Sequence, residues 1–547
     1  MDFDGLSIAL AAAIAIVSLL AYLNKAEPDV HPALLEQQAS VADIRKEGQS
    51  LLHRAKSIPL SSPLLTQPNA TIRTLHDVWK AGLAIGASNT SMLYLLHNQG
   101  SYMVDTYAMV DRQISGFGSG LLKLTGLAPK TGVPVGLFTA LSRECFIAQQ
   151  ALARFSLVAV PIHDLKNKAL LVEVINQTKM TAIIVSQKAL PLVLEALPEC
   201  TSLKSIIVAG IYISPEQLKA ASTHKAKLVK FAEVAYSGLE NPVVPSAPEP
   251  QDVAMINFNT KSSSSKVLKG VVLTHANLVS AVAAFQANIP NGKRFTSKDR
   301  LISHFAVGDV LGTVLTASIV SVGGSIVFPT GLMKNVLHDA QASCPTVFAS
   351  TPVILEKIQE ALLLSYGEGF LFGRAYAAKL AMLKNGHITP SSLWDFFGLS
   401  DIRAKLGGKI RLVVTTADPI KPGTMDFFRA GAGVPAIKVY GHTETSGVAT
   451  CRNIYDYSST EHAGPPMGCC EIKLLDNAEH GYTGADQPFA RGEILVRGPN
   501  VMRGYFTSTG AVSATLDSEG WFHTGEFGQL LDIGTLEVFG QTQMLRN

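Results

Sequence analysis

Short apolar segments alternate with helical segments over residues 71–233, and this alternation constrains the fold more than any other feature of the chain. The apolar segments are rich in Val and Ile, and they read as strands at Val133–Phe138, Leu157–Ile162, Ala182–Val185 and Ser205–Val208. Helical periodicity lies between them, as in Ser142–Arg154 and Ala169–Lys179. Because a strand–helix alternation produces a parallel sheet covered by helices, we predict a doubly wound α/β unit.

Composition places the chain among ordered proteins that have more than one core. It has 547 residues, of which 47% are hydrophobic and 16% charged, enough to form two or three compact subdomains. The net charge of +3 comes without a long basic run, so nucleic-acid binding has no electrostatic support. Six cysteines are scattered without zinc-site spacing and are predicted to be reduced thiols.

An uncharged apolar run at Leu6–Leu23 predicts an N-terminal transmembrane helix. As a helix it would reach about 27 Å, just enough for a bilayer core. Lys25, Arg45 and Lys46 follow it, which favours a body on the cytosolic side of the endoplasmic reticulum or another intracellular membrane. A cleaved signal peptide is one alternative, although the chain has an acidic start, and a buried core helix is another.

A second strand pattern ends in the stretch Val439–Gly447, V-Y-G-H-T-E-T-S-G. Residues that follow a strand of an α/β sheet lie at its carboxyl end, where such proteins bind ligands. A carboxylate there, Glu444, suits Mg²⁺ shared with phosphates. The alternative is an ordinary helix start, with Thr443 as the cap and Glu444 in the first turn.

A loop of small residues follows the apolar strand Val253–Phe258 and ends at Lys269-Gly270, before a helix capped at Thr274. Small residues allow backbone N–H groups to approach phosphates closely. A flexible serine-rich surface loop is one interpretation of this segment, and a phosphate loop is the other, which the family resemblance given next implies.

Several long segments, in a consistent order, resemble the AMP-forming acyl-CoA synthetases, and most of all their long-chain fatty-acyl branch. The resemblance runs from about residue 70 to the end, and Tyr366–Asn385 resembles a helical segment found in the long-chain branch. The segments that carry it are Ile402–Val414, Val439–Gly447, Gly464–Asp476, Gly492–Tyr505 and Gly520–Glu526.

This resemblance implies that the protein activates a long-chain fatty acid with ATP and Mg²⁺ to an acyl-adenylate, and then transfers the acyl group to CoA. It implies catalytic roles for Glu444, which would bind Mg²⁺, and for Lys269. The nucleotide-binding residues that it implies are Ser262, Ser264, Ser265, Thr415, Tyr440, Gly441, Thr443 and Glu526.

Some positions depart from the family pattern. Ser263 and Lys266 replace loop glycines, and a residue with a Cβ costs roughly 1–2 kcal/mol at positive φ. Asp418 adds a carboxylate that should repel an anionic nucleotide. Gln541 replaces an arginine expected at a hinge, and the chain stops at Asn547, before the expected C-terminal lid. A missing lid would weaken both half-reactions.

We predict an adenylate-forming large domain: two doubly wound α/β subdomains, a small β-barrel-like subdomain and the N-terminal transmembrane helix. The predicted units are an anchor (1–25), a spacer with a helix at Pro32–Arg54 (26–70), a first α/β subdomain (71–235), a Pro-rich connection (236–251), an AMP-binding α/β subdomain (252–450) and a β-rich subdomain (451–547).

Three functional hypotheses remain at this point. The protein is an active long-chain fatty-acid–CoA ligase, or a non-catalytic, membrane-tethered relative that binds acyl chains or nucleotides. The third is an incomplete gene product.

Overall fold

In the computed structural model, the described residues are 10, 12, 14–15, 28–95, 102–162, 167–258, 268–366, 369–458, 461–507, 512–513 and 516–541. Their strands are β1 (Ala39–Val41), β2 (His53–Ala55), β3 (Thr90–Leu95), β4 (Tyr102–Thr106), β5 (Pro134–Phe138), β6 (Val158–Pro161), β7 (Ala182–Ser186), β8 (Ser205–Ala209), β9 (Lys227–Lys230), β10 (Val253–Phe258), β11 (Gly270–Thr274), β12 (Arg300–Ser303), β13 (Ser325–Val327), β14 (Val347–Ala349), β15 (Leu412–Thr416), β16 (Ala436–Tyr440), β17 (Thr450–Cys451), β18 (Glu471–Leu475), β19 (Ala490–Arg497), β20 (Gly504–Phe506), β21 (Val512–Ser513), β22 (Phe522–Leu530) and β23 (Leu536–Gln541).

The helices are α1 (Leu75–Ile85), α2 (Tyr107–Thr125), α3 (Arg143–Arg154), α4 (Lys168–Thr178), α5 (Leu190–Ala196), α6 (Pro215–Thr223), α7 (Phe231–Glu240), α8 (His275–Asn288), α9 (Val310–Val320), α10 (Val336–Ser343), α11 (Pro352–Tyr366), α12 (Phe370–Lys384), α13 (Leu399–Lys405) and α14 (Thr424–Asp426).

The first sheet has the order β21-β20-β11-β10-β6-β5-β7-β8-β9. Strands β5 to β9 pair in parallel, and β10 pairs in parallel with β6. The four strands and two helices predicted in the first unit match β5–β8, α3 and α4 to within one residue at each end. The prediction of a doubly wound sheet is therefore confirmed in its core.

The second sheet has the order β17-β16-β15-β14-β12-β13-β3-β4. Its six central strands are parallel, and one antiparallel strand closes each edge. The two sheets do not follow the predicted subdomain boundaries. Strands β3 and β4, from the predicted first subdomain, join the second sheet, whereas β10 and β11, from the predicted second subdomain, join the first. The carboxyl ends of β12, β14, β15 and β16 consequently line one edge.

A third, antiparallel sheet has the order β1-β2-β18-β19-β22-β23. It includes two strands from the segment 26–70, so the helix predicted at Pro32–Arg54 is wrong; only Pro32–Leu34 forms a short 3₁₀ turn. The physical reason is tertiary pairing: β2 is held against β18, and Arg54 donates a hydrogen bond to the buried Glu471 (2.5 Å).

The three sheets share one apolar core. A single cluster of buried side chains includes Met255 of β10, Val414 of β15 and Val496 of β19. Such packing resists relative movement, so residues that come from different sheets are held at defined distances.

The predicted membrane segment Leu6–Leu23 lies outside the described residues, apart from Leu10, Ala12, Ile14 and Ala15. Within the described part of the chain, no helix combines the length and apolarity needed to cross a bilayer.

Candidate active site

Strand β16 ends at Tyr440, and the chain then makes a tight turn through Gly441. A Cβ on Gly441 would lie 2.5 Å from the backbone nitrogen of Val448, so only glycine fits this crossing. Residues Thr443–Thr445 form a single 3₁₀ turn, capped by a hydrogen bond from the His442 N–H to Thr445 Oγ1 (2.9 Å). The alternative of a longer helix capped by Thr443 is therefore wrong. Thr443 is half-buried in this turn.

The turn places Glu444 in a mostly buried position, with 7% of its surface exposed. Tyr505 donates a hydrogen bond to Glu444 Oε1 (2.8 Å), and the Met502 N–H donates to the Glu444 carbonyl (2.7 Å). Among the residues that the structure describes, Glu444 Oε2 has no hydrogen-bond partner. One carboxylate oxygen is therefore held, and the other is left for a ligand.

Lys269 also contacts Tyr505. Its ammonium nitrogen is 5.2 Å from the centre of the Tyr505 ring, within the range of a cation–π contact. The pairing of β11 with β20, with Val271 opposite Tyr505, brings them together. Lys269 and Glu444 thus share a neighbour. Ser262, Ser264 and Ser265, together with Ser263 and Lys266, lie outside the described residues.

Glu526 of β22 faces the same turn. Its Oε2 accepts hydrogen bonds from Tyr440 Oη (2.7 Å) and His442 Nε2 (3.1 Å). Burial disfavours the charged form of His442. The hydrogen bond to Glu526 and its negative charge have the opposite effect, with smaller contributions from Glu444 and Asp418, and the pKa of His442 is raised overall. Burial would raise the pKa of Glu526, yet its bonds to His442 and Tyr440 lower it overall. Both shifts favour a charged pair.

We call Lys269, Tyr440, His442, Glu444, Tyr505 and Glu526 the strand-end cluster. The structure brings six predicted site residues to this region: Lys269, Tyr440, Gly441, Thr443, Glu444 and Glu526. Sequence reasoning missed the roles of Tyr505 and His442. Both lie inside the segments that carry the family resemblance, but their partners are 61 and 84 residues away along the chain.

More polar side chains lie along the same edge of the second sheet. His304 follows β12, Ser350 follows β14, and Thr415 is in β15. In the described chain, neither His304 ring nitrogen nor the Ser350 and Thr415 hydroxyls have a partner. Burial lowers the pKa of His304 to about 4. Thr415, predicted to bind nucleotide, is fully buried in this row. Unpaired buried polar groups are costly unless a ligand or water satisfies them.

An apolar cavity lies between α1, α3 and α9, and Phe146, Met255 and Phe328 are among its lining residues. Asp309 also lines it and caps α9. The 441–447 turn packs on the start of α9, because a Cβ on Gly447 would lie 2.6 Å from the Leu311 nitrogen. One residue of the cavity lining, Asp309, is therefore near this turn.

The donor set limits the kind of metal site that is possible. Among the described residues, no group of three or more His, Cys, Asp or Glu side chains could hold a metal ion. Mg²⁺ is commonly held by one or two carboxylates together with substrate phosphates. The free oxygen of Glu444 fits that arrangement, in which the phosphates supply further ligands.

The chain is similar in sequence to known proteins. Residues 92–506 match the family model described as AMP-binding enzyme. Long-chain-fatty-acid–CoA ligase 5 of Rattus norvegicus is 30% identical over 472 residues, which cover 85% of this chain and 68% of that protein. The peroxisomal long chain acyl-CoA synthetase 7 of Arabidopsis thaliana is 30% identical over 528 residues, with coverages of 94% and 74%.

Solved structures share the fold. A long-chain-fatty-acid-CoA ligase from Archaeoglobus fulgidus has a TM-score of 0.65 at 18% identity, covering 89% of this chain and 88% of its own. The A domain of carboxylic acid reductase from Segniliparus rugosus, in complex with AMP and a co-purified carboxylic acid, has a TM-score of 0.68 at 15% identity, with coverages of 88% and 77%.

Proposed function

This chain belongs to the AMP-binding enzyme family, in its long-chain acyl-CoA synthetase branch, and from that premise we propose that the strand-end cluster holds the adenylate formed from ATP and a long-chain fatty acid. The observation that carries the proposal is Glu444, which is buried and held through one oxygen by Tyr505, while its other oxygen has no partner among the residues that the structure describes.

The proposed reaction has two steps. A carboxylate oxygen of the fatty acid attacks the α-phosphorus of ATP; a new P–O bond forms, and the bond to pyrophosphate breaks. The thiol of CoA then attacks the acyl carbon, loses its proton and displaces AMP. Charge develops on the phosphates in the first step, and preorganised donors and cations stabilise it.

Each group of the cluster has a role in this proposal. Glu444 would hold Mg²⁺, which neutralises phosphate charge. Lys269 adds a cation beside the phosphates. Glu526 offers acceptor oxygens to the ribose hydroxyls, while Tyr440 and His442 orient its carboxylate. Thr415 and Thr443 remain proposed nucleotide contacts, as do Ser262, Ser264 and Ser265 in the loop before Lys269.

The apolar cavity is the proposed acyl-chain site. Its lining includes Asp309, at the start of the helix on which the turn carrying Glu444 packs, and this supports a chain that lies inside the cavity with its carboxylate directed toward the cluster. Burial of a long alkyl chain contributes roughly 0.8 kcal/mol per CH₂ group, which favours long acyl groups over short ones.

The full chain tests this proposal through AMP release from ATP, Mg²⁺, CoA and palmitate. We expect AMP only when fatty acid is present, and a loss of about 10²-fold in Glu444→Gln. Glu360→Gln, the same change on an exposed carboxylate paired with Lys421, should match the wild type. Equal rates in Glu444→Gln and the wild type would refute the assignment. Protection of the wild type by ATP without AMP release would favour a non-catalytic binder.

We also propose that Leu6–Leu23 anchors the protein to an intracellular membrane with its body facing the cytosol. The apolar run and the basic residues after it support this. The full chain should resist alkaline extraction from membranes, and a variant without residues 1–25 should be released. Extraction of both would refute the anchor. Protease added outside sealed microsomes should digest the body, whereas a protected body would refute its orientation.

A further inference from the structure

A buried histidine supplies a hydrogen-bond donor to the apolar cavity. His275 is the first residue of α8; it is fully buried, and it lines the cavity. Its Nδ1 accepts a hydrogen bond from the Leu75 N–H at the start of α1 (3.3 Å). In the described part of the chain, its Nε2 has no partner.

The bond to Leu75 defines the tautomer. Burial lowers the pKa of His275 to about 4, so the ring is neutral at physiological pH. A neutral imidazole that accepts at Nδ1 carries its hydrogen on Nε2. A ring that lines the cavity therefore carries an N–H donor without a partner among the described residues, and leaving such a donor unpaired is unfavourable.

We propose that this N–H recognises an oxygen within the acyl chain, so that the cavity prefers oxygenated long-chain fatty acids, with a hydroxyl, keto or epoxide group along the alkyl part, over plain ones. This rests on the proposed function, since it takes the cavity as the acyl-chain site. A neutral acceptor oxygen is complementary to a neutral N–H donor, and the surrounding wall of Val78, Met255 and Phe328 suits the alkyl carbons on either side.

The carboxylate of the fatty acid does not suit this position. None of the described residues lining the cavity is Lys or Arg, and one of them, Asp309, is acidic. A buried carboxylate without a cation is strongly disfavoured. A neutral oxygen bound at Nε2 carries no such cost, and the acid group remains free to lie at the cluster.

The test compares stearate with a series of monohydroxystearates that carry the hydroxyl at successive positions, each titrated into the full chain by calorimetry. We expect stearate to bind and one or two adjacent positional isomers to bind roughly tenfold more tightly, about 1.4 kcal/mol. If stearate binds and no isomer exceeds it, this inference fails while the acyl-site proposal stands. If no fatty acid of either kind binds, both fail.

Two variants test whether His275 causes the preference. His275→Leu has no donor, so we expect the preferred isomer to fall to the affinity of stearate. Thr316→Val removes another polar group from the cavity lining and should keep the preference. Loss of the preference in Thr316→Val but not in His275→Leu would overturn the assignment. If His275→Leu does not fold, the positional series on the wild type still decides whether the preference exists.

Discussion

Tyr505 of β20 donates a hydrogen bond to Glu444 Oε1 over 2.8 Å, and this contact joins the first sheet to the strand-end turn of the second. Burial, together with the charge of Glu444, raises the pKa of Tyr505, so its hydroxyl remains a donor at physiological pH. The bond orients a carboxylate whose other oxygen has no hydrogen-bond partner within the described part of the chain. Lys269 packs on the same ring, so one tyrosine positions both a proposed metal ligand and a proposed phosphate cation.

Tyr505→Phe tests this positioning. The variant keeps the ring beneath Lys269 but leaves a buried carboxylate oxygen without its donor, which costs about 1–3 kcal/mol. We expect a lower urea midpoint and a higher Mg²⁺ concentration for half-maximal AMP release. Tyr212→Phe, on an exposed tyrosine, is the matched control. An unchanged Mg²⁺ requirement would show that Tyr505 does not position Glu444.

The His442–Glu526 pair predicts a pH dependence of stability. The pKa of His442 is raised above its ordinary 6.5, so its contribution is complete below that pH and is lost as pH rises through the raised value. The pKa of Glu526 is lowered from 4.5, so its contribution is present above pH 4.5 and is lost as pH falls through the lowered value. The pair is therefore fully formed between these two ordinary values.

His442→Gln should remove this dependence. Relative to the wild type, we expect a loss of about 1–2 kcal/mol in unfolding free energy near pH 6, as for a hydrogen bond to a charged group. The difference should shrink as the pH rises through the raised pKa of His442. Urea unfolding at several pH values measures it. A difference that grows with pH would contradict the assigned charge states.

Two ion pairs of the N-terminal segment make a matched comparison. Arg54 bonds the buried Glu471 and the carbonyls of Pro59, Leu60 and Ser62, whereas Lys46 pairs with Glu519 at an exposed position. Arg54→Ala removes the hydrogen bonds to Glu471 and the three carbonyls but leaves Arg497 paired with Glu471, so it should cost about 1.5–3 kcal/mol of unfolding free energy, as for hydrogen bonds to a charged group. Lys46→Ala should have little effect. Equal losses would mean that β1 and β2 contribute no more than a surface attachment.

Replacement of glycine by alanine should have opposite effects on stability at Gly441 and at Gly373. A Cβ on Gly441 would collide with the backbone of Gly447 and Val448, whereas a Cβ on Gly373, in α12, meets nothing within 4 Å. Gly441→Ala should destabilise the protein by roughly 1–3 kcal/mol and weaken ATP binding. Gly373→Ala should stabilise it by about 0.5–1 kcal/mol. Thermal unfolding compares them; equal stabilities would contradict the close crossing at Gly441.

Much of the fold was predictable from the sequence because hydrophobic patterns mark individual strands and helices. Strands β5 to β8, β10 and β16 were expected close to their observed bounds, as was the cap of α8 at Thr274. Strands β1 and β2 were not predicted, because a strand of three residues is too short to show a hydrophobic period. They form through tertiary pairing, β2 with β18 and β1 with β2.

The candidate site was predictable only in part for a related reason. Glu444, Lys269 and Glu526 were identifiable from motifs, since each lies in a local pattern. The contacts that orient them depend on side chains distant along the chain, such as Tyr505 for Glu444. The donor from His275 to the cavity depends on Leu75, 200 residues earlier, and no local pattern encodes such a pair.

The most direct test of the central claim is calorimetric titration of the full chain with a non-hydrolysable ATP analogue, with and without Mg²⁺. The account predicts that Mg²⁺ strengthens binding to the wild type by about tenfold or more, and that Glu444→Gln abolishes this gain while Mg²⁺-free binding is retained. An equal Mg²⁺ effect in both proteins, or no binding of the analogue to the wild type, would contradict it.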